Sequence, residues 1–157
     1  MKLTFLAVGR TDSPAVETLT AEYAKRLRRF ADFSTEEVPD VKNSKNLSEG
    51  EQKNREGHDI LSRIRPEDFV VLLDEKGKQF TSLEFAGYLQ KQMNSGVRHL
   101  VFVVGGPYGF SQDVYRRGDR LLSLSAMTFS HQMVRLFFTE QLYRAFTILN
   151  HLPYHHE

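Results

Sequence analysis

Three apolar runs constrain the fold of this chain more than any other feature. They cover residues 3–8, 69–73 and 100–104, and each is followed directly by glycine or aspartate. A strand with one face in water alternates polar and apolar residues, whereas a strand buried on both faces is apolar throughout. The runs therefore predict an α/β fold, with a mostly parallel sheet that helices cover on both faces.

Signals for helices alternate with these runs. Ser48 with Glu51 and Thr81 with Glu84 match capping boxes, in which two side chains accept hydrogen bonds from each other's backbone N–H groups. Both boxes predict the start of a helix. Further helices are predicted over residues 14–30, 111–118 and 132–150, and shorter strands over residues 33–38 and 121–124.

Two local patterns lead to expectations about polar residues. Residues 75–79 are mostly polar around a central glycine and predict a turn or loop after the second apolar run. On the last helix, Arg135, Glu140 and Arg144 are expected to be exposed, and the last two are spaced as in a surface ion pair. The core stripe of that helix is predicted to contain Val134, Phe138, Leu142, Ala145 and Leu149.

Composition narrows the class of protein. A chain of 157 residues suits one domain spanning residues 1–157, and its net charge of +1 means that any attraction to nucleic acid must come from local patches. The chain has no cysteine, which excludes disulfides and thiolate metal sites. No apolar stretch approaches the roughly 18 residues of a membrane span. We expect a single-domain cytoplasmic protein with no membrane segment.

The third apolar run ends in a glycine-rich turn, "VFVVGGPYGF", over residues 101–110. The turn lacks the Gly-Lys-Ser/Thr of a phosphate loop, and its spacing does not fit the dinucleotide-binding fingerprint. It is either a tight turn or a place where backbone approaches a ligand. Parallel sheets bind ligands beyond the carboxyl ends of their strands, where residues 73–74 and 124–129 should also lie.

Other polar groups have simple explanations beside functional ones. The basic run at residues 25–29 could contact phosphates or be the solvated face of a helix. His131 is expected to be a structural, hydrogen-bonded residue. The histidines at the end of the chain are expected to form a polar tail, so we predict no metal site.

Several stretches together resemble the RlmH family of SPOUT methyltransferases. They are "KLTFLAVG", "LLDEKGKQFTS", "VFVVGGPYGFS", "LSLSAMTFSHQMVRLFFTEQLYRAFTILN" and the ending "HLPYHHE", which together span nearly the whole chain. The resemblance implies a SPOUT-type fold with a C-terminal trefoil knot, and a homodimer with each active site near the subunit interface. It also implies S-adenosyl-L-methionine as cofactor and N3-methylpseudouridine in 23S ribosomal RNA as product, made on assembled ribosomes.

The resemblance also implies functional residues. Tyr154 and His155 match the family's terminal motif, which lies close to the methyl donor and the target base. Arg144 matches a polar position that is expected to contact the RNA or to assist the reaction. His156 stands where many members have a basic residue, so a phosphate contact there would be weaker and pH-dependent. The matched cofactor-binding positions are Leu73, Gly105, Leu124, Ser125, Ala126, Met127, Thr128 and Phe129, with Gly106 beside them.

His155 is the first candidate for the general base that deprotonates the pseudouridine imide, or for a hydrogen-bond partner that orients the base. Arg144 and the run at residues 25–29 are the candidate RNA contacts. Three other functions stay open on the sequence. They are a SPOUT methyltransferase for another RNA such as transfer RNA, a non-catalytic ribosome-binding module, and a flavodoxin-like nucleotide binder.

Overall fold

Strands and helices alternate along the chain in the computed structural model, which describes residues 1–156. The strands are β1 (Lys2–Val8), β2 (Asp32–Val38), β3 (Phe69–Gln79), β4 (His99–Val104) and β5 (Arg120–Ser123). The α-helices are α1 (Pro14–Leu27), α2 (Glu49–Leu61), α3 (Ser82–Asn94), α4 (Gln112–Arg117) and α5 (His131–Leu149), and a 3₁₀ turn spans Ser44–Asn46.

The five strands form one sheet in the order β2-β1-β4-β3-β5, and all neighbouring pairs are parallel. Alternate side chains of the strands enter two apolar clusters. One cluster is covered by α1, α3 and α5, and the other by α2 and α4. The predicted α/β fold with helices on both faces is therefore confirmed, whereas the knotted C-terminus stays a prediction.

Helix α5 packs across the centre of the sheet between α1 and α3. Its Phe138 is fully buried, and its ring centroid lies 5.0 Å from that of Phe5 on β1 and 4.8 Å from that of Phe102 on β4. Burying an aromatic ring of this size stabilises a fold by about 2–3 kcal/mol. This packing fixes where α5 lies relative to the strand ends.

Both predicted capping boxes are present. Ser48 and Thr81 accept from the N–H groups of Glu51 and Glu84, and each glutamate accepts from the N–H of its partner. Of the helices in residues 1–156, none is long and apolar enough to cross a bilayer.

The prediction of a turn or loop at residues 75–79 is wrong, because β3 continues through them. After an irregularity beyond Leu73, the strand pairs with β5 again at Lys78 and Gln79. Gly77 makes this possible, since a side chain there would collide with the backbone of Leu121 and Leu122. The segment is polar because most of its side chains are exposed to solvent, so it lacks the continuous apolar run of a buried strand.

The expectation that Arg135 is exposed is also wrong, because only 4% of the residue is accessible. Its guanidinium donates to the carbonyl oxygens of Val8 and Gly9 at 2.8 Å and to the Thr11 hydroxyl at 3.2 Å. These carbonyls lie where β1 ends and its ladder stops, so they need donors from elsewhere. Burial lowers the pKa of Arg135, and the carboxylate of Glu37, 3.8 Å away, opposes that shift.

Candidate active site

A cavity of about 590 Å³ opens at the carboxyl ends of β4 and β5, beside the irregularity that follows Leu73 in β3. Three segments form most of its wall, namely residues 73–76, 104–110 and 122–129, and the first turn of α5 adds His131 and Val134. This is the sheet edge where the strand pattern places a ligand. All nine residues predicted to bind the cofactor line this one cavity: Leu73, Gly105, Gly106, Leu124, Ser125, Ala126, Met127, Thr128 and Phe129.

The glycine loop, residues 105–109, takes its shape from contacts inside the protein. A Cβ atom on Gly105 would lie 3.1 Å from the Phe110 ring, and one on Gly106 would lie 2.5 Å from a carboxylate oxygen of Glu56. Gly109 has a φ of +79°, and its N–H donates to the Gly106 carbonyl at 3.2 Å. The protein's own packing thus leaves little room for side chains at Gly105 and Gly106, in addition to any need of a ligand.

The segment over residues 124–129 is held by serine hydroxyls. The Ser123 hydroxyl donates to the Ser125 carbonyl at 3.0 Å, and the Ser125 hydroxyl accepts from the Met127 N–H at 2.9 Å. The Met127 side chain is left exposed, and the Phe129 ring packs on Phe137 of α5, with centroids 5.1 Å apart. The segment is therefore ordered within the chain and presents a large apolar side chain beside the cavity.

Asp74 and Tyr115 form a hydrogen-bonded pair on the cavity wall. The Tyr115 hydroxyl donates to one Asp74 oxygen at 2.5 Å, and the other oxygen accepts from the Lys76 N–H at 2.9 Å. Burial raises the pKa of Tyr115 to about 12, and the bond to Asp74 raises it too, so the phenol stays a donor. Sequence analysis missed Tyr115, since one tyrosine on a short helix carries no pattern.

The three predicted catalytic residues lie together in a second group, the terminal cluster of Glu140, Arg144, Tyr154 and His155. One oxygen of Glu140 accepts from Arg144 at 2.6 Å and from the Tyr154 hydroxyl at 2.9 Å. The Arg144 guanidinium also lies over the Tyr154 ring, 4.8 Å from its centroid. The predicted ion pair between Glu140 and Arg144 is therefore present, but it is partly buried and belongs to a larger network.

Each reactive group of the terminal cluster has a defined hydrogen-bonding role. Burial raises the pKa of Tyr154, and its bonds to Tyr23 and Glu140 raise it further, so the phenol stays protonated. Arg144 lies 3.3 Å from Nδ1 of His155. A guanidinium can only donate, so Nδ1 must be the acceptor and the ring proton must be on Nε2.

The terminal cluster and the cavity are separate within one chain. Among residues 1–156, the cavity lining does not include Arg144, Tyr154 or His155. Tyr154 instead packs edge-on against Tyr143 of α5, with ring centroids 4.8 Å apart, and its hydroxyl reaches Tyr23 of α1. The predicted cofactor-binding residues thus lie together in the cavity, and the predicted catalytic residues lie together in the terminal cluster. Within residues 1–156, the predicted catalytic residues do not line the cavity.

The basic run at residues 25–29 divides into two kinds of side chain. Arg26 pairs with Glu22 and lies over the rings of Tyr23 and Tyr143, and the Arg28 side chain donates to the Phe33 carbonyl at 3.1 Å. Lys25, Arg28 and Arg29 are all exposed, but within residues 1–156 Lys25 and Arg29 make no such contacts. Lys25 and Arg29 are therefore better placed to meet an external phosphate.

Comparison with known proteins identifies the family. The family model described as "Predicted SPOUT methyltransferase" matches residues 1–155. A protein of Christiangramia forsetii is 57% identical over 156 residues, which is 99% of each chain, and one of Flavobacterium psychrophilum is 57% identical over 157 residues, the whole of both. Both bear the name Ribosomal RNA large subunit methyltransferase H.

A solved structure shows the same fold at low sequence similarity. The probable methylase family protein from Haemophilus influenzae has a TM-score of 0.53 at 12% identity, over 99% of this chain and 70% of that one. The resemblance drawn from the glycine loop, residues 124–129 and the terminal motif is thus confirmed at the level of the family. The chain belongs to the SPOUT methyltransferase family and is an enzyme of that kind.

Proposed function

We propose that this enzyme transfers a methyl group from S-adenosyl-L-methionine to N3 of a pseudouridine in 23S ribosomal RNA, acting on assembled cytoplasmic ribosomes. One observation carries the proposal: all nine residues that the resemblance assigns to the cofactor line one cavity at the strand ends. The names of relatives that are more than half identical over their full lengths support large-subunit RNA as the substrate.

The residues around the cavity suit this cofactor. Its volume, about 590 Å³, falls within the range of roughly 300–1,000 Å³ typical of small-molecule sites. Leu73, Leu122 and Leu124 offer apolar contacts, and the glycine loop offers backbone that side chains do not cover. When bound, S-adenosyl-L-methionine supplies an electrophilic methyl group on a sulfonium and leaves a neutral thioether.

The hydrogen bonds of the terminal cluster support an orienting role for His155. With Nδ1 facing Arg144, the ring offers only the Nε2–H, which can donate to a carbonyl oxygen of the target base. A histidine in this state cannot also take the imide proton through Nε2. Of the two roles expected for His155, base or orienting partner, the arrangement favours the second.

A homodimer would bring the terminal cluster of one copy next to the cavity of the other. The terminal cluster lies outside the cavity of its own chain, so a second copy can supply it across an interface. Leu19 on α1, Phe137 on α5 and Leu152 near the terminus are large apolar side chains that are more than 40% exposed. Burial of such side chains between two copies would stabilise the pair and place one copy's terminus beside the other's cavity.

The exposed basic residues would hold the RNA. Within residues 1–156, Lys25 and Arg29 lack the aromatic and carbonyl contacts that Arg26 and Arg28 make. Reversing both charges (Lys25→Glu with Arg29→Glu) should weaken ribosome binding and lower the slope of log affinity against log salt by about 2. Unchanged salt dependence would remove this surface from the RNA interface. The matched control reverses Arg116, an exposed residue of α4.

The proposed function is tested by methylation of defined RNAs. Purified enzyme with labelled S-adenosyl-L-methionine should label 23S RNA in assembled ribosomes, and mass spectrometry should find N3-methylpseudouridine only in cells that contain the enzyme. Labelling of bulk transfer RNA instead would establish the rival substrate. A chain that binds ribosomes but shows no heat of binding with the cofactor would be a non-catalytic module.

A further inference from the structure

Glu56 on α2 is a buried acid with an unused oxygen. Only 3% of the residue is accessible, and one carboxylate oxygen accepts from the Gln52 side chain at 2.9 Å. The other oxygen is buried and has no hydrogen-bond partner within residues 1–156. Burial raises the pKa of Glu56, because a carboxylate is poorly stabilised away from water. An unpaired buried polar group of this kind needs an explanation.

The carboxylate lies directly behind the glycine loop. Its two oxygens would be 2.5 and 2.8 Å from a Cβ atom on Gly106, and Gly106 itself lines the cavity. Gly57, the next residue on α2, also lies at a close contact, because a side chain there would collide with Ser111 at the start of α4. Helix α2 is therefore packed closely against this wall.

Charged groups near Glu56 act on its pKa in opposite directions, and the cavity wall carries two lysines, Lys53 and Lys76, beside its acids. Asp40 raises the pKa of Glu56 through like-charge repulsion, and His131, which lines the cavity, lowers it. Of the acids on the cavity wall itself, Asp74 has both oxygens engaged, and Glu75 is exposed. Glu56 is thus the acid here that is both shielded from water and short of a partner.

We infer that Glu56 makes the cavity selective for a cationic ligand, so that it binds the sulfonium of S-adenosyl-L-methionine more tightly than the neutral thioether left after transfer. This inference rests on the proposed function. The positive charge of the sulfonium is lost when the methyl group bonds to N3 of the base and the N3 proton passes to solvent. The carboxylate behind Gly106 therefore attracts the substrate form of the cofactor and has no charge to attract in the product.

The expected size of this effect follows from Coulomb's law. At an effective dielectric constant near 20, opposite charges as far apart as roughly 10 Å still attract one another enough to change an affinity by about tenfold. A neutral ligand of the same shape gains nothing from the charge. Glu56 would act through the field behind the wall, as a specificity-determining residue that does not touch the ligand.

The test compares three ligands of similar shape by calorimetric titration of Glu56→Gln. They are S-adenosyl-L-methionine, sinefungin, whose amine is also cationic, and S-adenosylhomocysteine, which has a neutral sulfur. We expect both cationic ligands to bind about tenfold more weakly to the variant, and the neutral ligand to change by less than about twofold. Glu49→Gln, which removes an exposed charge from the same helix, should leave all three affinities unchanged.

Each other outcome would overturn the inference. Equal weakening of all three ligands would mean that Glu56 only shapes the wall, and unchanged binding would mean that its charge does not act on the cavity. Should Glu56→Gln fail to fold, Glu56→Asp keeps the charge and must keep the preference for the cationic ligands. A wild-type enzyme that binds none of the three ligands would contradict the proposed function itself.

Discussion

The cavity at the strand ends is lined by residues from several strands and loops, whereas the terminal cluster consists of four side chains that contact one another. The cavity wall follows three chain segments whose course is set by β3, β4 and β5. The terminal cluster is set by the last turns of α5 and the tail that folds back on them. The difference suggests that ligand binding and chemistry are assigned to separate parts of the chain.

Helix α5 is the element that the two regions share. His131 and Val134 at its start line the cavity, while Glu140 and Arg144 further along belong to the terminal cluster. Arg135 ties the first turns of this helix to the end of β1. If the two regions have separate tasks, variants in each should change different measured quantities.

The largest effect is expected from the terminal cluster. Arg144→Ala should lower turnover by about 10²–10³-fold, the usual loss when one fixed charged donor is removed from an active site, without changing the dissociation constant for the cofactor. Single-turnover methylation and calorimetric titration measure the two quantities. Arg144→Lys, which keeps the charge but loses the planar fork, should recover part of the rate. Loss of cofactor affinity in Arg144→Ala would contradict the separation of the two regions.

The free energy of unfolding should change most when the hydrogen bonds from Arg135 on α5 to the end of β1 are removed. Arg135→Gln leaves two buried carbonyl oxygens short of donors, so the free energy of unfolding should fall by about 2–3 kcal/mol in a urea titration. Arg116→Gln is the matched control, because Arg116 and its partner Asp113 are mostly exposed, and a surface pair of this kind contributes less than about 1 kcal/mol. Equal stability of the two variants would show that Arg135 is not needed to hold α5.

A substitution in the glycine loop should lower the affinity for the cofactor. In Gly105→Ala the new methyl group would press on the Phe110 ring at 3.1 Å, so the wall must shift by a few tenths of an ångström. We expect affinity for S-adenosyl-L-methionine to fall about tenfold, a typical result for a small displacement of a shaped site. Gly87→Ala on α3, where a methyl group meets open space, is the control and should bind normally. Normal binding by Gly105→Ala would separate the loop from the cofactor site.

The smallest expected effect is a pH dependence of stability at Glu56. Its pKa is raised on folding, so the folded state is penalised at pH values above the folded pKa, and the penalty disappears below the unfolded pKa, about 4.3. The stability of Glu56→Gln relative to the wild type should therefore rise between about pH 4 and pH 7. Urea titrations at the two pH values measure the difference, and a constant difference would contradict a buried charge.

Much of the fold was predictable because local patterns and tertiary structure agree. The apolar runs predicted β1, β4 and the first part of β3, and the two capping boxes fixed the starts of α2 and α3. The cavity followed from the rule that ligands lie at the carboxyl ends of parallel strands. The family resemblance then selected Arg144, Tyr154 and His155, and the i, i+4 spacing predicted the pair of Glu140 with Arg144.

The wrong and missing predictions share one physical cause. In each case the structure of a residue depends on partners that are distant in sequence. Residues 75–79 form a strand only because β5 pairs with them, and Arg135 is buried only because β1 ends in carbonyl groups that need donors. Glu56 lies in the most polar part of the chain and is buried because Gly106 leaves room for it. None of these partners is visible in a window of neighbouring residues.

The central claim is that a working site combines the cavity of one copy with the terminal cluster of another. Co-expression of Gly105→Val, which blocks the cavity, with His155→Ala tests it most directly by the methylation rate of the purified mixture. Each variant alone should be inactive. The mixture should regain about a quarter of the wild-type rate, because half of randomly paired dimers contain one intact site. A mixture as inactive as its components would mean that each chain completes its own site.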